Sequence, residues 1–197
     1  MDDDDDICHR KGTFIGQVNN VLCYLSTLNS PTKCRLFQSY CTSFHGCELW
    51  RLTDTGVQDF CTAWRKGVRK IWKLPYRTHR YLLPLLCHCL PIFDAMCARS
   101  LNFIYRCISH DSDLVHFISQ YCIKYGRSRS CIGRNIMFCM QRYNCNVEKV
   151  CSGLMNDVIK SFCITSVDSH RAATANLLRE TIMVRDNSLM LPGGFTQ

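Results

Sequence analysis

Val57-Gln58-Asp59-Phe60-Cys61-Thr62-Ala63-Trp64-Arg65-Lys66-Gly67-Val68-Arg69-Lys70-Ile71-Trp72-Lys73 is the stretch that decides the fold class. Its apolar residues Val57, Phe60, Cys61, Trp64, Val68, Ile71 and Trp72 recur at three- and four-residue steps, the period of a helix with one buried face. Asp54 or Thr55 is placed to cap the start, and Pro75 closes the end. At about 100° per residue, Arg65, Lys66, Arg69, Lys70 and Lys73 fall on the arc opposite the apolar one. One predicted helix therefore carries a core face and the most informative surface in the chain.

The same period runs outward in both directions. Toward the N-terminus, Phe14, Val18, Val21, Leu22, Leu25 and Leu28 line one face of a helix that should stop near Asn29. Ser30 then offers an N-cap and Pro31 the favoured first position of a second helix, through Phe37, Tyr40, Cys41 and Phe44 to Gly46. Toward the C-terminus, Thr78 is set to cap a short helix over Tyr81 to Cys87. Pro91 begins a longer one through Met96, Phe103, Ile104 and Cys107, which breaks at residues 109–112. The next runs through Leu114, Phe117, Ile118, Tyr121, Cys122 and Tyr125 to a stop at Gly126.

Beyond the basic loop at 126–130 come three further helical candidates: Ile132 to Tyr143, Val147 to Phe162 behind Asn146, and Ala172 to Val184 behind Ser169. No stretch alternates apolar and polar β-branched residues, and no repeat of 20 to 50 residues occurs. The expected fold is all-α, a multi-helix array of about eight or nine helices with no substantial sheet. The expected division is an acidic disordered leader at 1–12, a helical region at 13–110, a second at 111–186 and a disordered tail at 187–197.

With 47% hydrophobic and 20% charged residues, the 197-residue chain is long enough for one core or two small ones. Lys plus Arg number 24 against 16 Asp plus Glu. Five of the acids are the run Asp2 to Asp6; with them set aside, 24 cations face 11 acids, a net +13. A body this basic implies a polyanionic partner, nucleic acid ahead of an anionic membrane surface. The cations of the opening stretch are the candidate phosphate contacts, extended by Arg77 and Arg80, because each one that neutralises a phosphate releases condensed counterion. The bland alternative is a solvated helix face, but five cations with no acid between Asp59 and Asp94 exceed what solubility asks.

Sixteen cysteines would suggest a disulfide scaffold in a secreted chain. An aspartate run has neither the basic nor the apolar region of a signal peptide, so the expected location is cytoplasmic or nuclear, not secreted. The cysteines lack metal spacing too: no C-x-x-C occurs, and Cys139, Cys145 and Cys151 are spaced evenly rather than in pairs. Most are read as small apolar core residues, with no metal or cofactor expected. Tyr81 to Ala98 is apolar enough to test as a membrane span, but Pro84, His88, Pro91 and Asp94 interrupt it and favour buried helices. No catalytic residues are assigned. The histidines form no metal pair or triad, and His110 beside Asp111 and Asp113 reads as a turn. Trp64 and Trp72 lie on the apolar arc and read as core, Trp50 sits at a turn with an open role, and Asp2 to Asp6 read as a solvated run rather than a cation site.

Several stretches together resemble a known family. They are Phe14 to Leu22, Lys33 to Cys41, Gly46-Cys47-Glu48-Leu49-Trp50, and Trp64 to Pro75 followed by Thr78-His79. In order and spacing, residues 2–110 resemble the segment directly C-terminal to the palm in animal LINE-type (non-LTR) retrotransposon reverse transcriptases. The aspartate leader resembles an acidic tract just after the palm, and Leu178 to Asp186 is similar to a motif near the C-termini of those proteins. The resemblance implies a thumb-like helical region that helps hold RNA template and DNA primer, with RNA or an RNA/DNA hybrid and the palm of a reverse transcriptase as partners. The palm's Tyr-x-Asp-Asp acids and the endonuclease residues are absent, so no catalytic role carries over. Met1 is read as an internal codon of a longer frame, making the chain a truncated copy. The rival expectation is a protein-interaction or host protein derived from a retrotransposon remnant, self-associating through exposed apolar surface. A membrane-associated protein using residues 81–108 ranks below both.

Overall fold

The computed structural model describes residues 3–42, 44–126, 129–166 and 168–169. The expected helix over Ala172 to Val184, the Leu178 to Asp186 stretch, the tail at 187–197, and Arg127 and Ser128 of the basic loop lie outside the described residues. The chain divides into two compact units, Met1–Lys160 and Ser161–Gln197. In the second, residues 161–166 are helical.

The first unit is built of helices, with no strand among the described residues. In chain order they are α1 (Asp3–Tyr24), α2 (Ser30–Leu36), α3 (Thr55–Ile71), α4 (Leu82–Leu86), α5 (Ile92–Ile108), α6 (Asp113–Lys124), α7 (Cys131–Tyr143) and α8 (Val147–Cys151). A π-helical turn, Phe37–Cys41, prolongs α2, and a 3-10 turn spans Cys47–Leu49. Residues 155–160 are helical again.

Local chemistry accounts for most of these boundaries. Asn29 rather than Ser30 caps α2, its side chain accepting from the Thr32 amide at 2.9 Å, and Pro31 takes a first-turn position. Asp54 caps α3 through the Gly56 amide at 2.7 Å, Ser130 caps α7 through Gly133, and Asn146 caps α8 through Lys149. Helices α3, α4 and α7 end on one device, a residue at positive φ just past the last turn: Lys73 at 52°, His88 at 49° and Asn144 at 48°. After α3 the Leu74 amide reaches back to the Arg69 carbonyl at 2.8 Å and that of Lys73 to Lys70 at 3.2 Å, the paired bonds of a Schellman stop. His88 is therefore a helix terminator between Cys87 and Cys89.

Packing starts with α1 lying along α3. At Gly67 the backbone of α3 comes close to α1 and the π-helical turn: a β-carbon there would stand 3.4 Å from Val18 and 3.5 Å from Phe37, at ordinary contact distance. Phe60 of α3 is the hub of a ring cluster, 5.2 Å from Phe14, 5.0 Å from Phe44 and 5.7 Å from Trp50 between centroids. The open question about Trp50 is thereby answered: it is buried, and its indole N–H donates to the Asp6 carboxylate at 2.8 Å. Trp64 is buried as expected, whereas Trp72 is only half-buried.

Three expectations are corrected. The acidic leader, expected disordered over 1–12, is helical from Asp3 onward. Acids are favoured at a helix N-terminus, Arg10 pairs with Asp6 one turn on at 3.0 Å, Ile7 is buried, and the Trp50 indole holds Asp6 from across the fold. The boundary expected at 110/111 is not where the chain divides, because Asn135 of α7 reaches back over it. Its Oδ1 accepts from the Leu52 amide at 3.0 Å and its Nδ2 donates to the Trp50 carbonyl at 2.8 Å. Asp94 of α5 likewise receives Arg142 at 2.9 Å and the Tyr143 hydroxyl at 2.7 Å from α7. Finally, the helix expected over Val147 to Phe162 breaks at Gly153, whose φ of 74° and closeness to the Tyr105 ring both demand glycine.

Candidate nucleic-acid interface

Because Val57, Phe60, Trp64, Val68 and Ile71 of α3 are buried, the polar side of this helix must face out. Taking Val57 as 0°, Lys66 and Lys70 lie at about 180° and 220°, Arg65 and Arg69 at about 80° and 120°. The predicted basic arc is thus split by α1, which packs along one edge of α3 only. Lys66 and Lys70 line a groove of about 330 Å³ between the two helices, walled by Val18, Asn19, Ala63 and Gly67. Both lysines are exposed.

Lys11 of α1 lines the same groove from the other wall. Sequence reasoning missed it, since nothing local to α1 says which flank meets α3. Its ammonium stands 3.6 Å from the Asp59 carboxylate, an exposed acid at the groove's end. Three lysines on two helices therefore surround one opening whose lining residues include a single acid.

Arg65 and Arg69 are spent differently. The Arg69 guanidinium donates to the Thr78 carbonyl at 2.8 Å and lies 5.7 Å from the centre of the Tyr76 ring, which ties the connection after α3 back to the helix. Arg65 donates to the Thr62 hydroxyl at 2.8 Å and is half-exposed. Lys73, Arg77 and Arg80 lie along the connection into α4, all three exposed, with Lys73 on a left-handed backbone. The seven predicted contacts thus comprise two in the groove, two on the opposite flank and three on the following loop.

All sixteen cysteines are free thiols, eight of them buried, and among the described residues no three His, Cys, Asp or Glu gather as a metal-binding group. Burial pushes the Cys61 thiol up to about 12 and those of Cys41 and Cys47 to about 11, which keeps them protonated. Cys34 runs the other way, lowered to about 7 by a hydrogen bond from Cys87, which also meets Cys89. Among the described residues no helix is long and apolar enough to cross a membrane. No family model, no curated protein and no solved structure matches this chain.

Proposed function

We propose that this chain is a non-catalytic nucleic-acid-binding module that holds RNA or an RNA/DNA hybrid on the basic side of α3. The observation that carries the reading is the groove: Lys11, Lys66 and Lys70 converge on one opening, and Asp59 alone among its lining residues opposes them. Fixed cations along a channel suit a polyanionic backbone, and because they contact phosphate they discriminate little among sequences. Arg65, Lys73, Arg77 and Arg80 extend the field, and Arg69 acts chiefly by holding the loop that carries the last three. We further propose that the module derives from the post-palm, thumb-like region of a LINE-type reverse transcriptase. The resemblance of residues 2–110 supports that origin, and α3 with its stop lies within one of the stretches that carry it.

Salt titration of RNA binding tests the reading. Replacing Lys66 and Lys70 by Gln should leave helicity and melting nearly unchanged, because both side chains reach solvent. The slope of log K against log salt should flatten by roughly 0.7 to 0.9 for each phosphate that is no longer neutralised. An unchanged slope in the double variant removes the groove from the account and favours the rival reading, a protein-interaction module without nucleic-acid function.

A further inference from the structure

Helix α6 shows its most apolar face to solvent. Leu114, Phe117, Ile118, Tyr121 and Tyr125 follow one another at the steps of a single helical stripe, and each is 51% to 67% exposed. The side turned to the protein is narrower and holds Ser119 and Ile123. A contiguous apolar stripe of this length on an otherwise basic molecule marks a surface built for contact. Its charges say with what. Counting Leu114 as 0°, Asp113 and Lys124 lie at about 260° and 280°, on the same flank of the stripe but at opposite ends of the helix.

We propose that α6 is a self-association surface on which two copies of this chain pair, α6 against α6, antiparallel about a two-fold axis. A two-fold between Ile118 and Ser119 returns each flank to the same side and reverses the helix direction. Asp113 of each copy then meets Lys124 of the other, so one patch is complementary to itself at both ends, as an isologous contact requires. A parallel pair would put the charged flanks of the two copies on opposite sides of the seam, where neither Asp113 nor Lys124 meets an opposite charge. The helix dipoles also oppose in the antiparallel arrangement, which favours it further. Between the charged ends the aromatic residues Phe117 and Tyr121 of the two copies interleave across the axis and give up their exposed surface. The pairing leaves the α1–α3 groove outside the contact and doubles the number of grooves per particle, so an RNA long enough to span both would be held by avidity.

Light scattering coupled to size exclusion, on the full chain over a wide concentration range, tests the pairing. The expected result is a mass that rises with concentration toward twice that of one chain. Phe117→Glu should hold it at one chain with unchanged melting. Asp113→Lys and Lys124→Asp should each weaken association about tenfold, since attraction becomes repulsion at both ends. Mixing those two variants should restore it, because the hybrid pair regains both opposite-charge contacts. A wild-type chain that stays at one copy throughout overturns the proposal, as does a Phe117→Glu variant that still doubles. A mixture no tighter than its components does the same. If Phe117→Glu leaves the mass alone but weakens single-stranded RNA binding, the stripe is a base-stacking platform and the proposal falls.

Discussion

In α3 the residues at three- and four-residue steps, Val57, Phe60, Trp64 and Val68, are buried, whereas in α6 those at the same spacing, Leu114, Phe117, Tyr121 and Tyr125, stand in solvent. The period of the two stripes is the same and the outcome opposite. What differs is the rest of each helix. Beside its stripe α3 carries Arg65, Lys66, Arg69 and Lys70, and burying that side would strip four charges of water, so only one orientation is open to it. Helix α6 is charged only at its ends, by Asp113 and Lys124, and its other side offers Val115, Ser119, Cys122 and Ile123. Either face of α6 tolerates burial, and the choice passes to its neighbours α5 and α7.

The widest gap between the two helices should appear on truncation. Trp64→Ala should lower stability by about 3 to 5 kcal/mol through the cavity it opens, while Tyr121→Ala should stay within about 0.5 kcal/mol in the dilute chain. Chemical denaturation read by circular dichroism measures both, and comparable losses would erase the distinction between a buried and a solvated stripe.

A second comparison concerns what joins the two helices' regions. Asn135→Ala orphans the Leu52 amide and the Trp50 carbonyl, and should cost about 3 kcal/mol, the penalty of leaving buried backbone groups unpaired. If residues 50–52 and α7 belong to one cooperative unit, the variant should melt in a single transition at lower temperature. Two separate transitions would restore a boundary near 110.

A smaller, pH-dependent effect lies at the start of α1. The Trp50 indole bond is the main cause that holds the Asp6 carboxyl below its ordinary 3.8, helped by Arg10 and opposed by partial burial. A depressed carboxyl contributes stability that is present above the unfolded value and lost as pH falls through the folded one. The advantage of wild type over Asp6→Asn should therefore be full at neutral pH and shrink below about pH 3.8. A difference independent of pH in the melting temperatures would assign the leader's order to Ile7 instead.

The smallest expected change is a gain. Lys73 holds a left-handed backbone that glycine adopts freely, so Lys73→Gly should stabilise the stop of α3 by up to about 1 kcal/mol. Because it also removes a cation from the loop, the same variant should weaken RNA binding slightly while melting higher, a pairing that a purely structural lysine would not show.

The sequence by itself determined that the chain is helical and where most helices start and stop. Asp54, Pro31, Asn146 and the glycines act on bonds one to five residues away, and the 3.6-residue period is visible in any stretch that buries a face. It also determined the buried side of α3, because charge forbade the other. Tertiary structure decided the rest. It turned the α6 stripe outward, brought Lys11 to Lys66 and Lys70 across a groove, recruited Arg69 to hold a loop, ordered an aspartate run on Trp50, and carried Asn135 over the expected boundary. Each is a relation between segments that the local pattern leaves open, settled by which surfaces lose the most water together. No single stretch of sequence encodes that comparison.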